Sequence, residues 1–374
     1  MRVTKVPVFP KNTDEVSKIV SPLRQKTYAN LFSTSPYGKI RNKDLSVFCR
    51  KVAFLLGGGI QLKEIMPILA NQSPKHMNTI MALHKKILSG DSYSHALHEV
   101  KAFPAFMVRS VEIGERSSKL YEISDKLADF YEAKNNQEKE LFSALMYPAV
   151  IIIMMIMVTI LSITTVLPGY ADIFESSGVP LPFLTNLLLN ISGFAVSNWI
   201  LILIFHLLLF TAAVIFLHTP SGKKLISLLS IKASLSKQSI NLNFVQSMSF
   251  LLSSGISITD ALPIYTKGIT NFFVNKQLSE VIIEIKSGSS FWKAIRKIPF
   301  IDPMFIELSK IGEETGSLPQ ITEKCRIYFE TQYSRNLKNI NKLLEPIITI
   351  FMGLLLAIIM LAVVLPAFTL AGYI

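Results

Sequence analysis

The stretch PAVIIIMMIMVTILSITTVLP, Pro148 to Pro168, holds nineteen residues between its two prolines, and none of them is charged. At about 1.5 Å per residue, a helix over 149–167 is roughly 28 Å long, close to the ~30 Å hydrocarbon thickness of a bilayer. Further along the chain, PIITIFMGLLLAIIMLAVVLP, Pro346 to Pro366, repeats the design with nineteen more uncharged residues. The two stretches align at a constant shift of 198: LMYP (145–148) falls on LLEP (343–346), and VLP (166–168) on VLP (364–366). One such stretch fits a buried soluble helix equally well. Two copies of spanning length point to membrane spans, and to a chain built from one unit used twice.

Composition agrees. Half of the residues are hydrophobic and 17% are charged, and the mean hydropathy is +0.42. A membrane protein with substantial soluble parts fits these values. The net charge is +12, and all 38 Lys and Arg lie within 1–147 and 218–345. Basic residues stay on the cytoplasmic side of bacterial-type membranes, so both soluble parts are expected there. The positive balance then needs no nucleic acid, since Lys and Arg near the spans can rest on anionic lipid head groups. The N-terminal MRVTKVPVFPKNTDEVSK has no apolar core, so no cleavable signal peptide is expected. Cys49 and Cys325 do not correspond in the repeat and form no close pair, which suits reduced structural thiols.

Taken in order, residues 1–43 carry Pro7, Pro10, Pro22 and Pro36 without a sustained period and read as a flexible lead. Residues 44–147 read as a helical domain of about six helices. LSVFCRKVAFLLGGGIQLKEIMPIL has helical spacing broken at Gly57-Gly58-Gly59, which marks a helix, a glycine turn and a second helix. Further helices are expected over about 74–88, 93–100 (after an N-cap at Ser92), 105–114 and 120–145, the last feeding the span 148–167. Residues 168–198, with Asp172 and Glu175 and no basic residue, suit a periplasmic loop and interfacial helix. A second span follows over 199–217, then a second soluble domain over 218–345, a third span over 346–366 and a periplasmic tail over 367–374. LLSSGISITDALP (251–263) falls on LLGGGIQLKEIMP (55–67) at a shift of 196. GSSFWKAI (288–295) falls on GDSYSHAL (90–97), and IGEETGSL (311–318) on IGERSSKL (113–120), both at 198. Separated anchors in the same order indicate tandem domains. The fold class is therefore an all-α membrane protein, with two tandem cytoplasmic bundles and three spans.

Residues for catalysis are not assembled in the sequence. No GxxxxGK[ST] occurs, and Gly57–Gly59 lacks both the lysine and the preceding strand of a phosphate loop. His95-x-x-His98 is a pair without further ligands and has no counterpart in the second copy, so exposed helix surface is expected rather than a metal centre. His206 is the ionisable residue inside a span; it reads as a neutral histidine hydrogen-bonded between helices, with a proton relay as the sharper reading. Glu345 precedes Pro346 at the boundary of the last span, where the first copy has Tyr147. Either it is an acid favoured at a helix N-terminus, with Pro346 at the first helical position, or it binds a cationic partner. No cofactor and no metal are expected.

The tandem helical domains, the LLSSGISI turn, the IGEETGSL turn, the Glu345-Pro346 pair and VPLPFLTNLL (179–188) resemble the type II secretion F and type IV pilus platform family of the bacterial inner membrane. The resemblance covers about 45–168 and 244–366. Its motif residues here are Gly59 and Gly255, Gly114 with Glu115, and Gly312 with Glu313 and Gly316; the span-bounding prolines are Pro148, Pro168, Pro346 and Pro366. Ser118 stands where the second copy has Gly316, so only that copy is expected to keep the tight turn. The resemblance implies a non-enzymatic, oligomeric platform. Its partners would be a cytoplasmic hexameric assembly ATPase, pilin or pseudopilin subunits, other inner-membrane assembly proteins and membrane lipid. It would couple the ATPase to insertion of subunits into a growing pilus, with Glu345 as the candidate pilin contact. The competing class is a small transporter or channel, whose spans usually carry broken helices or charges in the pathway.

Overall fold

The computed structural model describes residues 38–166, 233–269 and 271–371, with scattered positions between 168 and 227. The lead up to residue 37 lies outside the described residues. So do most of the loop, interfacial helix and second span, His206 included. Among the described residues every regular element is helical.

The first half comprises α1 (Asn42–Gly57), α2 (Leu62–Asn71), α3 (Met77–Leu88, entered through a 3-10 turn at Pro74–His76), α4 (Tyr93–Val100), α5 (Ala105–Arg116) and α6 (Leu120–Leu161). Burial follows the 3.6-residue period. On α1, Leu45, Phe48, Cys49, Val52 and Ala53 are buried, and they face Ile123, Leu127, Ala128, Phe130 and Tyr131 on α6. That pairing is the most extensive in the first half. The expected N-cap is present: Ser92 Oγ accepts from the His95 backbone N–H at 3.2 Å.

The second half comprises α7 (Ser234–Ser253), α8 (Ile258–Lys267), α9 (Phe272–Lys286), α10 (Phe291–Ile295), α11 (Pro303–Glu314) and α12 (Leu318–Ala371). Here α7 differs from α1. From Asn241 to Leu252 all but Asn243 are buried, because α7 packs on α12 and α8 and also touches α6 of the first half. A helix enclosed on every face must satisfy its polar side chains internally. Asn241 Oδ1 accepts from the Asp302 N–H at 3.0 Å, and Ser247 Oγ donates to the Asn243 carbonyl at 2.8 Å. One contiguous set of buried apolar side chains runs through both halves.

Two helices dominate the outline. α6 has 42 residues and α12 has 54, or about 63 Å and about 81 Å at 1.5 Å per residue. Both are long and apolar enough to cross a membrane, and their apolar ends are almost wholly exposed. The prolines do not bound them: Pro148 lies inside α6, and Pro346 and Pro366 lie inside α12. A proline in a helix interior removes one N–H and frees the carbonyl four residues back. At Pro346 that carbonyl belongs to Lys342, on a stretch still exposed, so the helix passes through. α6 then ends in a π turn over Ser162–Val166, where Thr164 Oγ donates to the Ile160 carbonyl at 2.8 Å. The first apolar stretch is therefore not a regular α-helix to its end, as the sequence had suggested.

Candidate functional site

The repeated glycines and glutamates are brought together as turns and caps. Gly59 and Gly255 have φ of 78° and 80°, the left-handed conformation that closes a helix. The same two bonds close each turn: Gly59 N–H to the Leu56 carbonyl at 2.9 Å and Ile60 N–H to that of Leu55 at 3.1 Å, and Gly255 N–H to the Leu252 carbonyl at 3.0 Å and Ile256 N–H to that of Leu251 at 3.1 Å. Gly114 and Gly312 let α5 and α11 approach the following long helix. A Cβ on Gly114 would stand 3.1 Å from Ile123 Cγ1, and one on Gly312 would stand 3.1 Å from Leu318 Cα. The neighbouring carboxylates reach back across each half. Glu115 accepts from the N–H groups of Tyr93 (2.6 Å) and Ser94 (2.9 Å); Glu313 accepts from those of Phe291 (2.9 Å) and Trp292 (3.2 Å). Each acid thus satisfies orphan donors at the start of a short helix and meets the positive end of its dipole. The Gly-Glu pair is architectural in both halves.

The expectation that only the second copy keeps the tight turn is overturned. Ser118 has φ 56°, beside 68° at Gly316. Lys119 N–H bonds the Gly114 carbonyl at 2.9 Å, as Ser317 N–H bonds that of Gly312 at 2.9 Å. The closing bond and the approach at the glycine fix the turn, and the serine accepts the strain.

Between the halves lies a cleft of about 340 Å³, lined by Lys126, Phe130, Gln246, Phe250, Glu323 and Arg326 among others. Arg326 forks between two acids of its own helix. Its Nε donates to Glu323 at 2.9 Å, and its Nη1 donates to both oxygens of Glu330 at 2.8 Å. From α7, Ser249 Oγ donates to Glu323 at 2.5 Å and Gln246 Nε2 to Glu330 at 2.7 Å. The Arg326 hydrogen bond, aided by Ser249, holds the Glu323 carboxyl below its ordinary range against the opposing effect of burial. Lys126 of α6 donates to the Ser253 carbonyl of α7, and desolvation lowers its pKa. Phe250 closes the apolar side of the seam, its ring centroid 5.3 Å from Phe106 and 5.6 Å from Phe130.

Sequence reasoning missed this cluster, although a signal exists. Asp125 and Glu132 fall on Glu323 and Glu330 at the shift of 198, so the repeat keeps an acid pair seven residues apart. In the first half the cation comes from the other helix: Arg50 of α1 donates to Asp125, Asp129 and Glu132. Arg50 falls on Gln246, and Arg326 falls on Ala128. One guanidinium serves each acid pair and has changed helices between the copies.

Glu345 stands alone. It is exposed on α12, many turns from the helix start at Leu318, and Thr349 Oγ donates to its carbonyl at 2.8 Å. The reading of Glu345 as a helix-start acid, with Pro346 at the first helical position, is therefore overturned, because the macrodipole acts only within the first turn. Among the described residues no three His, Cys, Asp or Glu are grouped to hold a metal ion. His95 stands 4.0 Å from Asp91, and His98 stands 3.6 Å from Glu99. Both cysteines are buried and unbridged.

Two long helices that end as exposed apolar rods, joined to helical bundles tied by a polar seam, define an α-helical membrane protein. Comparison with known proteins gives the particular kind. The profile of type II secretion system protein F matches residues 48–168 and 244–366, and the chain belongs to that family. It is 29% identical over 338 residues to the type IV pilus assembly protein PilC of Thermus thermophilus, covering 88% of this chain and 83% of that one. It is 24% identical to the PilC of Pseudomonas aeruginosa (89% and 91% covered). It is also 24% identical to the type II secretion system protein F of the same organism (88% and 83%).

Proposed function

We propose that this protein is the inner-membrane platform of a type IV pilus machine, or of a related type II secretion machine, and couples a cytoplasmic assembly ATPase to the insertion of pilin or pseudopilin subunits. Residues 44–147 and 218–345 are its two cytoplasmic bundles. The spans are 148–167, 199–217 and 346–366, with the N-terminus cytoplasmic and the C-terminus periplasmic. The observation that carries the reading is the pair α6 and α12. Each is one helix that begins among soluble turns and ends in an exposed apolar rod, and the two pack on each other. A displacement imposed on the soluble part by a partner is thereby passed to the membrane segment without a hinge. The protein performs no chemistry of its own in this role, and its other partners are inner-membrane assembly proteins and lipid. Glu345 is the contact for the positively charged N-terminus of a pilin. The relatives named for type IV pilus assembly favour a pilus over secretion.

Removing the protein from its host should abolish surface pili while pilin is still made and retained in the membrane. The purified full-length chain should bind its assembly ATPase and hydrolyse no nucleotide. Nucleotide turnover by the pure chain would refute the platform reading.

A further inference from the structure

The seam between the halves is built from two unlike faces, and the repeat supplies a second copy of each. One face belongs to the second half: the Phe250 ring, the Ser253 carbonyl and α8 with Ile264. The other belongs to the first half: Phe106 on α5, with Lys126 and Phe130 on α6. At the shift of 196, Phe250, Ser253 and Ile264 correspond to Phe54, Gly57 and Ile68. At 198, Phe106, Lys126 and Phe130 correspond to Met304, Lys324 and Tyr328. Thus each chain joins one pair of faces internally and leaves one of each kind over.

The leftover faces are exposed where their counterparts are buried. Phe250 is 6% accessible and Phe54 is 80%; Ile264 is 8% and Ile68 is 37%. Phe106 and Phe130 are 8% and 7%, whereas Met304 and Tyr328 are 42% and 46%. The leftover acceptor is already shaped like the occupied one. Phe130 meets Tyr131 edge-on at 5.3 Å, and Tyr328 meets Phe329 edge-on at 5.3 Å. Around Phe54 lies an open cleft of about 440 Å³ bordered by Arg50, Ile68 and Tyr121. Exposed aromatic and aliphatic side chains gathered on a surface mark an association site.

We propose that a second copy of this chain occupies that site: Phe54 of one protomer packs against Met304 and Tyr328 of the next, and Lys324 donates to the Gly57 carbonyl as Lys126 donates to Ser253. The contact is head to tail, since the faces are not self-complementary, and it closes into a ring or continues according to the rotation between copies. The repeat carries α6 onto α12 with the apolar segments at the same end, so successive copies keep those segments on one side, as a shared membrane requires. The inference rests on the repeat and on burial, not on the platform role.

The test uses the full-length chain in detergent. Phe54→Asp and Tyr328→Asp should each weaken self-association at least tenfold by mass photometry, with the circular dichroism of the original chain. Phe54→Asp spoils one face and Tyr328→Asp the other, so a mixture of the two variants should form dimers through the remaining intact pair and stop there. A photo-crosslinking residue at Phe54 should form adducts between differently tagged chains, joined to peptides from 303–331. Should Phe54→Asp fail to fold, Tyr328→Asp with the crosslinks to 303–331 carries the test. Wild-type association in both variants, a mixture that stays monomeric, or crosslinks from Phe54 only to Phe54 of another copy, to lipid or to another protein would each overturn the proposal.

Discussion

Ser118 holds a left-handed backbone, φ 56°, that its repeat partner Gly316 adopts without cost. Left-handed geometry costs an L-residue roughly 1–2 kcal/mol, part of which a glycine returns through unfolded-state entropy. Ser118→Gly is expected to stabilise the protein by up to about 1 kcal/mol, read as a raised melting temperature by scanning fluorimetry. Gly312→Ala should do the opposite by roughly 1–3 kcal/mol, because its new Cβ would meet backbone, Leu318 Cα at 3.1 Å. Glu345 is exposed and mid-helix, so little in the fold depends on its charge. Glu345→Gln keeps size and hydrogen bonding and removes only that charge. If the acid receives the pilin, pili should be lost at normal protein level and normal ATPase binding; normal piliation would return Glu345 to the ordinary surface.

At the scale of elements, α7 and α12 are tied by Ser249 and Gln246 of α7, which donate to Glu323 and Glu330, the two acids that Arg326 of α12 holds in place. Arg326→Ala strands two partly buried acids and should cost about 1–3 kcal/mol at neutral pH. The first half suggests its repair. Adding Gln246→Arg to Arg326→Ala recreates the Arg50 and Ala128 arrangement and should recover most of the loss in a double-mutant cycle of melting temperatures. The pH dependence follows from Glu323. Its folded pKa lies below its unfolded value of about 4.3, so the folded state binds fewer protons there; the stabilisation is present above that pH and fades as pH falls through the folded pKa. Asp44, drawn to about 2 by Lys75 and His76 against the burial that opposes them, behaves alike. The destabilisation by Arg326→Ala should therefore shrink once the pH is taken below about 4.

For the whole molecule, the charge asymmetry makes the sharpest statement. All 38 Lys and Arg lie outside 148–217 and 346–374. Reporter fusions at Ser176 and after Ile374 should read periplasmic, and fusions near Lys126 and Lys286 cytoplasmic. A cytoplasmic signal at Ser176 would break the three-span topology. The helix continuity adds a mechanical expectation: inserting two glycines after Glu345 should uncouple the rod from its soluble half and lower piliation without lowering protein level.

The sequence by itself determined the all-helical class, the apolar stretches and most helix boundaries in the first soluble part. These rest on local physics: 3.6-residue periodicity, left-handed glycines and the length of a bilayer span. It also marked the Gly-Glu turns, though not that the glutamates cap helices some twenty residues earlier in the chain. Tertiary structure decided what depends on neighbours distant in sequence. Pro148 and Pro346 look like boundaries by local rule, yet the helices run through them; at Pro346 the freed Lys342 carbonyl lies on an exposed stretch and can still be solvated. Ser118 keeps a glycine's conformation because the bond between Lys119 and Gly114 and the packing of α5 on α6 require it. The Arg326 fork joins acids three and four residues away on its own helix and lay within local reach, whereas its ties to Ser249 and Gln246 and the Phe250 contact join helices distant in sequence. Whether a repeated phenylalanine is buried, as Phe250 is, or exposed, as Phe54 is, depends on what stands opposite, and no local pattern encodes that.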